Sequence, residues 1–181
     1  MIANLLTGIR LLLVVPAAFA FARPELVAPW ILLTVVLVAI LTDYFDGKVA
    51  RYQQTASATG QLFDHATDFL FVTAGLAGIA VNGVITPLLP ILIVVAFSQY
   101  VLDSYFLYKD KHLKMNFLGR WNGVLYFVPL VLIAVLRLQA TTPIAGAMLT
   151  LVSIIAWVLL LTTALSIFDR AIAPLRYNNK N

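Results

Sequence analysis

Apolar and polar residues alternate in long blocks along this chain. Stretches of about 18–25 predominantly apolar residues are separated by short connections that contain polar residues, Pro or Gly. They lie at approximately 5–22, 27–47, 60–82, 87–108, 118–138 and 144–168. A helix of about 20 apolar residues is long enough to cross the hydrocarbon core of a bilayer. The pattern therefore predicts an all-α integral membrane protein with about six transmembrane helices.

The composition supports a multi-pass membrane protein without a separate soluble domain. Of the 181 residues, 62% are hydrophobic and 11% are charged, which is far more apolar than a soluble domain of this length. There is no internal repeat and no low-complexity segment, so we expect one domain over residues 1–181. Cysteine is absent, which excludes disulfides, thiolate chemistry and zinc held by cysteine.

Basic residues gather on one side of the predicted topology. If the first residues are cytoplasmic, the cytoplasmic side holds Lys48, Arg51, Lys109, Lys111, Lys114, Arg120, Arg170, Arg176 and Lys180. The other side holds little more than Arg23 and Arg137. Because Lys and Arg favour cytoplasmic loops, we predict that both termini are cytoplasmic, in a bacterial-type inner or plasma membrane. The formal charge of +4 then reflects topology and attraction to anionic head groups, and requires no nucleic-acid partner.

The start of the chain also has features of a secretory signal. Arg10 precedes an apolar run that ends in Ala18, Phe19 and Ala20, and such a run with small residues at its end resembles a signal peptide with its cleavage site. We expect instead that this segment is retained as the first span.

Ionisable residues are concentrated where the second and third spans meet. They are Asp43, Asp46, Lys48, Arg51, Asp64 and Asp68. Charged groups near lipid are costly, so a cluster of them marks a functional site by default. Helical spacing places Asp43 and Asp46 on one face of the second span, and Asp64 and Asp68 on one face of the third. The polar connection at residues 51–59 lets the third span return antiparallel, so the two acidic faces can meet.

The four aspartates, here called the acidic cluster, predict a metal site. Like charges a few Å apart in a low-dielectric cleft need compensation, which divalent ions provide. Oxygen-only ligands suit hard cations, so we expect Mg²⁺ or Mn²⁺ rather than Zn²⁺. Four carboxylates are sufficient for two ions about 3.5–4 Å apart, the arrangement that clamps the attacking and leaving oxygens in phosphoryl transfer.

Small residues accompany the acidic cluster. Gly47 and Ala50 lie on the acidic face of the second span, and Gly60 lies on that of the third. Their lack of side-chain bulk either lets a flat ring or a pyrophosphate approach the backbone or lets the helices pack closely. Arg51, at the end of the acidic helix, is suited to pairing with a phosphate or to anchoring the helix at the cytoplasmic surface.

The segment from Asp43 to Asp68 follows one family signature. It reads D-Y-F-D-G-K-V-A-R, then eight residues, then G-Q-L-F-D-H-A-T-D. It resembles the CDP-alcohol phosphotransferase signature, D-x₂-D-G-x₂-A-R-x₈-G-x₃-D-x₃-D, at every defined position. The opening residues, from Asn4 through Thr7 to Arg10, also resemble the family's entry, a short interfacial helix that leads into the first span. The resemblance implies about six membrane helices with the active site at the cytoplasmic face.

The resemblance also implies roles for the residues of the signature. Two divalent ions would be held by Asp43, Asp46, Asp64 and Asp68, and Asp68 would also be the general base. The cytidine and pyrophosphate of the donor would be held by Gly47, Ala50, Arg51 and Gly60. The implied reaction, in membrane phospholipid synthesis, is attack by an acceptor hydroxyl on the β-phosphorus of a CDP-linked lipid, with CMP leaving. Family members commonly pair through membrane helices, so a homodimer is expected.

The signature does not specify the acceptor alcohol. Family members join CDP-diacylglycerol to glycerol 3-phosphate, serine or an inositol compound, or join a CDP-amino alcohol such as CDP-choline or CDP-ethanolamine to diacylglycerol. Lys111, Lys114 and Arg120 lie at the cytoplasmic junction of the fourth and fifth spans, where they either bind a phosphorylated acceptor or anchor the helices. Asp103, in the fourth span, either lines the acceptor pocket or pairs with a neighbouring polar group. Residues 119–123 depart from the G-K-x-K-T pattern of many glycerol-phosphate members, which puts glycerol 3-phosphate in doubt. We still expect a phosphorylated polyol, such as glycerol 3-phosphate or an inositol phosphate, as the acceptor.

Three other interpretations remain open at this point. A membrane cation transporter also uses intramembrane carboxylates, but they should follow a path through several spans rather than bunch at one face. An inactive assembly subunit with the same fold has no chemical reason to keep all four aspartates. Prenyl-type transferases also place aspartates around a pyrophosphate, but use D-D-x-x-D-like clusters. The sequence therefore favours an enzyme that acts on a CDP-linked donor.

Some polar and aromatic residues receive no chemical role from the sequence. His65 is expected to point away from Asp64 and Asp68 on its helix, and His112 lies in a basic loop. The residues expected to act mainly as span and interface anchors are Trp30, Tyr100, Tyr105, Trp121 and Tyr126.

Overall fold

The computed structural model describes residues 2–52, 58–104, 117–138 and 143–178. These ranges contain helices and short turns but no strand. The helices are α1 (Ile2–Ala22), α2 (Pro29–Tyr52), α3 (Ala58–Val81), α4 (Leu88–Leu102), α5 (Phe117–Leu125), α6 (Phe127–Leu138) and α7 (Ala145–Asn178). The predicted all-α class is confirmed.

The helices α5 and α6 form one rod with a local break at Tyr126. Pro129 lies in the first turn of α6, and a proline ring clashes with the carbonyl four residues earlier, which here belongs to Leu125, the last residue of α5. The backbone N–H of Tyr126 still donates to the carbonyl oxygen of Asn122 at 2.9 Å, so the helical path continues across the break. The described ranges therefore contain six helical rods, as the apolar pattern predicts.

Four of these rods are long and apolar enough to cross a membrane. The qualifying segments are Leu5–Ala22, Pro29–Asp46, Phe117–Leu138 and Ala145–Ile172. In the described residues α4 is apolar but has only 15 residues, and α3 carries two aspartates and a histidine in its first half. Apolar side chains on the outer faces are exposed, and Leu12 and Val15 reach 77% and 74% exposure. Such a surface suits a lipid environment.

The ends of α1 and α7 differ from the sequence prediction. The helix α1 is continuous from Ile2, so the described residues contain no separate interfacial helix before the first span. No proline precedes Pro16 in this segment, and a single Gly8 is tolerated inside a helix. The helix α7 continues beyond the predicted end at residue 168, through Asp169 and Arg170 to Asn178. The predicted end of the fourth span, at residue 108, lies outside the described residues.

The helix α1 packs against α2 and α3 and sets the geometry of that side of the bundle. Gly78 of α3 approaches α1 so closely that a Cβ there would lie 2.7 Å from the carbonyl oxygen of Ala18 and 2.8 Å from the Cβ of Phe21. Nearby, the Asn82 side chain donates from Nδ2 to the carbonyl oxygen of Phe21 at 2.7 Å. These contacts hold α1 alongside α3, so that the beginnings of α1 and α3 meet the end of α2.

The helices α4, α5 and α7 form the other side of the bundle. Gln99 of α4 donates from Nε2 to the carbonyl oxygen of Ile167 in α7 at 3.2 Å. Thr162 of α7 donates from Oγ1 to Oδ1 of Asn122 in α5 at 2.9 Å. The end of α4, the beginning of α5 and the last section of α7 therefore lie together, and a cavity opens between them and the helices α2 and α3.

Candidate active site

The four aspartates of the acidic cluster come together at one end of the bundle. Asp43 and Asp46 lie in the last part of α2, and Asp64 and Asp68 lie in the first half of α3. The side chain of Asp46 is 3% exposed, those of Asp64 and Asp68 are 26% exposed, and that of Asp43 is 42% exposed. The two acidic faces therefore meet as helical spacing predicts, while the chemical role of each aspartate stays a prediction.

A buried arginine lies between these carboxylates. Arg10 of α1 is fully buried, and its Nη2 donates to Oδ2 of Asp46 at 2.6 Å. Its Nη1 lies 3.3 Å from Oδ1 of Asp43 and 3.3 Å from Oδ1 of Asp64. The same Nη1 also contacts Oδ1 of Asp68. One guanidinium therefore bridges the acidic residues of α2 and α3 and places a single positive charge among four carboxylates.

Thr7, one helical turn before Arg10, makes a second contact from α1 to the cluster. Its Oγ1 donates to Oδ2 of Asp46 at 3.1 Å, the oxygen that Arg10 also contacts. The other oxygen of Asp46, Oδ1, is buried and has no hydrogen-bond partner among the described residues. A buried carboxylate oxygen without a partner is costly, so this oxygen is well placed to accept a cation.

The described side chains form two groups with the spacing of metal ligands. Ligand atoms of Asp43, Asp46 and Asp64 lie within 4.8 Å of one another, and those of Asp64, His65 and Asp68 do so as well. Asp64 belongs to both groups, and Asp46, whose Oδ1 is unpartnered, belongs to the first. Carboxylate oxygens are the ligands that hard divalent ions prefer, so these residues fit such an ion.

His65 lies closer to the acidic cluster than the sequence predicts. Its Nδ1 is 3.8 Å from Oδ2 of Asp64, and it lines the same cavity as Asp64 and Asp68. Adjacent positions on a helix are about 100° apart, and the rotamers of His65 and Asp64 bring the ends of the two side chains together. The prediction that His65 points away from its neighbours is therefore wrong.

The residues expected to hold the CDP-linked donor are close to the cluster along the chain. Gly47, Ala50 and Arg51 lie in the last turns of α2, and Gly60 is half-buried in the first turn of α3. The side chains of Ala50 and Arg51 lie outside the described part of the structure. Donor binding by these four residues stays a prediction.

A cavity of about 660 Å³ opens beside the acidic cluster. Its acidic wall, from α2 and α3, is formed by Asp43, Asp64, His65 and Asp68. Its basic wall, from α5 and α7, is formed by Arg120 and Arg170. Apolar residues line much of the remaining surface, among them Val72, Ile93 and Phe97. The cavity therefore combines charged walls of opposite sign with an apolar lining.

Arg170 is held at the basic wall by two contacts from the end of α4. Its Nη1 lies 3.8 Å from Oδ2 of Asp103, and its guanidinium carbon lies 4.9 Å from the centre of the Tyr100 ring. A cation over an aromatic face is attracted by the ring quadrupole. Asp103 is not among the residues that line the cavity. Of the two roles that the sequence leaves open for Asp103, the structure shows the pairing with a neighbouring polar group.

The other residues expected to bind the acceptor fall into two sets. Arg120 is exposed and lines the cavity, with Gly119 and Gly123 beside it. A Cβ added at Gly123 would meet no atom within 4 Å, so the cavity is open at this point. Lys111 and Lys114 lie outside the described residues, as does His112.

Two aromatic residues expected at the membrane interface are buried instead. Tyr100 and Tyr126 are 5% and 7% exposed, and both line the cavity. The hydroxyl of Tyr126 forms a 2.7 Å hydrogen bond with Oγ1 of Thr163, so its polar end is satisfied inside the protein. The anchor prediction is therefore wrong for these two tyrosines. Of the remaining three, Trp30 and Trp121 are exposed, and Tyr105 lies outside the described residues.

Sequence reasoning did not assign Thr7, Arg10 or Arg170 to the site. Thr7 and Arg10 are three residues apart and share one face of α1. Arg10 is also a charged residue within an apolar span, which is a signal that could have marked it. Arg170 follows the predicted end of the sixth span, and only the full length of α7 brings it to the cavity.

Comparison with known proteins agrees with the signature. A family model described as CDP-alcohol phosphatidyltransferase matches residues 1–168. A CDP-diacylglycerol--glycerol-3-phosphate 3-phosphatidyltransferase of Mycoplasma genitalium is 32% identical over 98 residues, which are 52% of this chain and 41% of that protein. The protein of the same name from Cereibacter sphaeroides is 30% identical over 139 residues, which are 73% of this chain and 62% of that protein.

A third relative carries a different name. A cardiolipin synthase (CMP-forming) of Streptomyces coelicolor is 30% identical over 142 residues, which are 74% of this chain and 65% of that protein. The chain thus spans less than two thirds of the length of each of these curated relatives. No solved structure matches the chain. Because the family match covers both acidic segments and the helices around the cavity, the chain belongs to the CDP-alcohol phosphatidyltransferase family.

Proposed function

We propose that this protein is a metal-dependent enzyme that transfers the phosphatidyl group of CDP-diacylglycerol to a hydroxyl of a phosphorylated polyol and releases CMP, in membrane phospholipid synthesis. The observation that carries the proposal is that one cavity is bounded by both the acidic wall and the basic wall. Carboxylates with divalent ions suit the pyrophosphate of the donor, and arginines suit the phosphate of the acceptor.

We assign two divalent ions, Mg²⁺ or Mn²⁺, to the two ligand groups that share Asp64. Asp43, Asp46 and Asp64 would hold one ion, and Asp64 and Asp68 would hold the other. The shared aspartate and the unpartnered Oδ1 of Asp46 support this assignment. When bound, such ions neutralise a pyrophosphate and stabilise CMP as the leaving group.

Asp68 is the proposed general base. Its side chain is 26% exposed and lines the cavity, so it is accessible to a hydroxyl placed there. Asp46 is 3% exposed and lacks this access, which leaves it the role of a ligand. In the proposed reaction, Asp68 accepts the proton of the acceptor hydroxyl, whose oxygen forms a bond to the β-phosphorus. The bond from that phosphorus to the oxygen of CMP breaks, and CMP leaves with the electron pair.

The donor would lie along the junction of α2 and α3. Gly47, Ala50 and Gly60 are the proposed contacts of its cytidine and pyrophosphate, because small residues let these groups approach the backbone. Arg51 is the proposed partner of a donor phosphate, because a guanidinium donates two parallel hydrogen bonds to phosphate oxygens.

Arg120 and Arg170 are the proposed binding residues for the phosphate of the acceptor. Both line the cavity that Asp68 also lines, and a planar guanidinium matches phosphate geometry. Asp103 would position Arg170, and Lys111 and Lys114 are proposed as additional cations. Glycerol 3-phosphate is the first acceptor to test, because two of the relatives carry it in their names, and an inositol phosphate is the second.

An acceptor that carries acyl chains of its own is a second candidate. The lining between the charged walls is apolar, and the rings of Phe69 and Phe97 stack there with centres 4.2 Å apart. One relative is a cardiolipin synthase (CMP-forming). A polyol attached to a lipid phosphate could place its phosphate at the basic wall and its chains along this lining.

We further propose a single domain over residues 1–181 in a bacterial-type inner or plasma membrane, assembled as a homodimer. Both termini and the cavity would face the cytoplasm. The gathering of basic residues on that side supports this orientation. A site near the cytoplasmic interface would let a lipid donor meet a soluble acceptor.

The test is CMP release by the purified protein in detergent. CDP-diacylglycerol is offered with Mg²⁺ or Mn²⁺ and, in separate reactions, glycerol 3-phosphate, inositol 1-phosphate, inositol, serine or phosphatidylglycerol. We expect release with a phosphorylated acceptor, loss of release on chelation and loss in Asp68→Asn. Release from CDP-choline or CDP-ethanolamine with diacylglycerol alone would contradict the proposed donor, and release that survives chelation would contradict the metal requirement.

A further inference from the structure

Arg10 contacts every aspartate that the proposed metal site needs. Its guanidinium reaches Oδ1 of Asp43, Oδ2 of Asp46, Oδ1 of Asp64 and Oδ1 of Asp68. Both ligand groups are made of these aspartates, with His65 as the one further member. A divalent ion bound to these carboxylates at about 2.0–2.6 Å would repel a guanidinium held a few Å away at the same groups. Arg10 and the ions therefore draw on the same four carboxylates.

The charge and the contacts of Arg10 favour its replacement by divalent cations at the acidic cluster. One guanidinium offsets one of four negative charges, and under-compensated charge in a buried site is costly. Only the two terminal nitrogens of Arg10 contact the cluster, since its Nε has no hydrogen-bond partner among the described residues. Oδ1 of Asp46 is likewise unpartnered, which leaves one buried ligand atom ready for an ion while Arg10 is in place.

We infer that Arg10 is the resting counter-ion of the acidic cluster, and that divalent ions displace its guanidinium from the carboxylates when they bind. The inference rests on the metal site of the proposed function. In the metal-free protein Arg10 is a positioning residue, because it holds the carboxylates of α2 and α3 together against their repulsion. Metal binding is then an exchange of cations, and its affinity is lowered by the free energy needed to break the contacts of Arg10.

The experiment uses the full chain in detergent, with Mn²⁺ alone as the probe. Melting temperature and calorimetric Mn²⁺ affinity are measured for the wild type, Arg10→Gln, Arg10→Lys and Arg23→Gln. Arg23 is the matched control, because it lies just after the other end of α1, is exposed and has the same charge. Neither measurement depends on enzymatic activity.

Without metal, Arg10→Gln should melt well below the wild type, because the four carboxylates, of which Asp46 is buried, lose their counter-ion. At saturating Mn²⁺ it should melt at the same temperature as the wild type, since Arg10 no longer makes these contacts in the loaded state. It should also bind Mn²⁺ at least roughly tenfold more tightly, because no buried ion pairs have to be broken first. Arg10→Lys should be intermediate, and Arg23→Gln should match the wild type.

Two results with folded Arg10 variants would overturn the exchange. One is an Arg10→Gln protein that is destabilised equally with and without Mn²⁺, because Arg10 would then keep its contacts in the loaded state. The other is Mn²⁺ binding that is unchanged or weaker in both Arg10 variants. If Arg10→Gln does not fold without metal, purification in Mn²⁺ should yield folded protein, and failure there too would contradict the exchange. If the wild type shows no stabilisation by Mn²⁺, the metal site of the proposed function is itself wrong, and the exchange is wrong with it.

Discussion

The residues of the two charged walls of the cavity differ in how far apart they lie along the sequence. The aspartates of the acidic wall lie on two consecutive helices, within residues 43–68. The arginines of the basic wall, Arg120 and Arg170, lie on α5 and α7, and the packing of α7 against α4 and α5 brings them to the same cavity. One wall is therefore set by spacing along two consecutive helices and the other by tertiary packing. In the proposed function, the first would carry the reaction step and the second would bind the acceptor.

The walls also differ in how their charges are balanced. The acidic cluster is bridged from α1 by the fully buried Arg10. At the basic wall, Arg170 is held at longer range by Asp103 and Tyr100, and Arg120 is exposed. Removing charge from the acidic wall should therefore disturb a tight network, while removing charge from the basic wall should alter binding with little effect on the rest of the site.

Replacement of Asp68 should have the largest effect. Asp68→Asn removes a proposed base and ligand, so CMP release with the best acceptor should fall about 10²–10⁴-fold, the contribution typical of a positioned acid or base. Glu25→Gln is the control, because it removes a carboxylate from the connection at the other end of the bundle. Equal activity of the wild type and Asp68→Asn would show that the acidic wall does not perform the reaction.

Replacement of Arg170 should raise the KM for the acceptor and leave the KM for the donor unchanged. Arg170→Gln should raise the KM for a phosphorylated acceptor about tenfold to a hundredfold, because a charge-assisted hydrogen bond is worth about 1.5–3 kcal/mol. Arg170→Lys keeps the charge but loses the planar fork, so its KM should lie between those of Arg170→Gln and the wild type. A comparable rise in the KM for CDP-diacylglycerol would mean that the two walls do not divide the substrates.

Gly78→Ala should destabilise the side of the bundle that carries the acidic wall. Its Cβ would lie 2.7 Å from a backbone oxygen of α1, so α1 and α3 must move apart at a cost of about 1–3 kcal/mol. The measurement is the melting temperature, which should fall. Gly123→Ala is the matched control, because it also lies inside a helix but its Cβ meets nothing within 4 Å. It should melt at or slightly above the wild-type temperature, since alanine favours a helix over glycine. An unchanged melting temperature for Gly78→Ala would show that the close contact does not position α1.

Tyr126→Phe should have the smallest effect. It removes the hydrogen bond to Thr163 that joins the rod of α5 and α6 to α7, but it keeps the ring. The free energy of unfolding should therefore fall by about 0.5–1.5 kcal/mol. Thermal unfolding in detergent is the measurement, and the KM values for both substrates should stay unchanged. A large rise in one KM would instead indicate that the Tyr126 hydroxyl contacts that substrate.

The sequence predicted the acidic wall more fully than the basic wall for a physical reason. Asp43 and Asp46, and likewise Asp64 and Asp68, lie one turn apart on consecutive helices, so helix periodicity and a short connection are enough to bring them together. No spacing rule joins Arg170 to Tyr100 or to the cavity, because that contact depends on how α4 packs against α7. The basic wall therefore required the structure.

The contacts of Arg10 with the acidic cluster were likewise not predictable from spacing along the sequence. Its contacts with Asp64 and Asp68 span 54 and 58 positions, and its position before an apolar run resembles the start of a signal peptide. The six-rod architecture was predictable because each rod is encoded by its own apolar stretch. The exact helix ends were less predictable, because capping and packing decide whether residues such as Asp169 and Arg170 extend a helix.

The most direct test of the division between the walls is a calorimetric measurement of ligand binding. CDP and glycerol 3-phosphate are titrated separately, with Mn²⁺ present, into the wild type, Asp64→Asn and Arg170→Gln. We predict that Asp64→Asn loses CDP binding but keeps that of glycerol 3-phosphate, whereas Arg170→Gln keeps its CDP affinity within about twofold, as expected for independent sites, and loses glycerol 3-phosphate. Loss of both ligands in each variant, or metal-dependent CDP binding that survives in Asp64→Asn, would contradict the division.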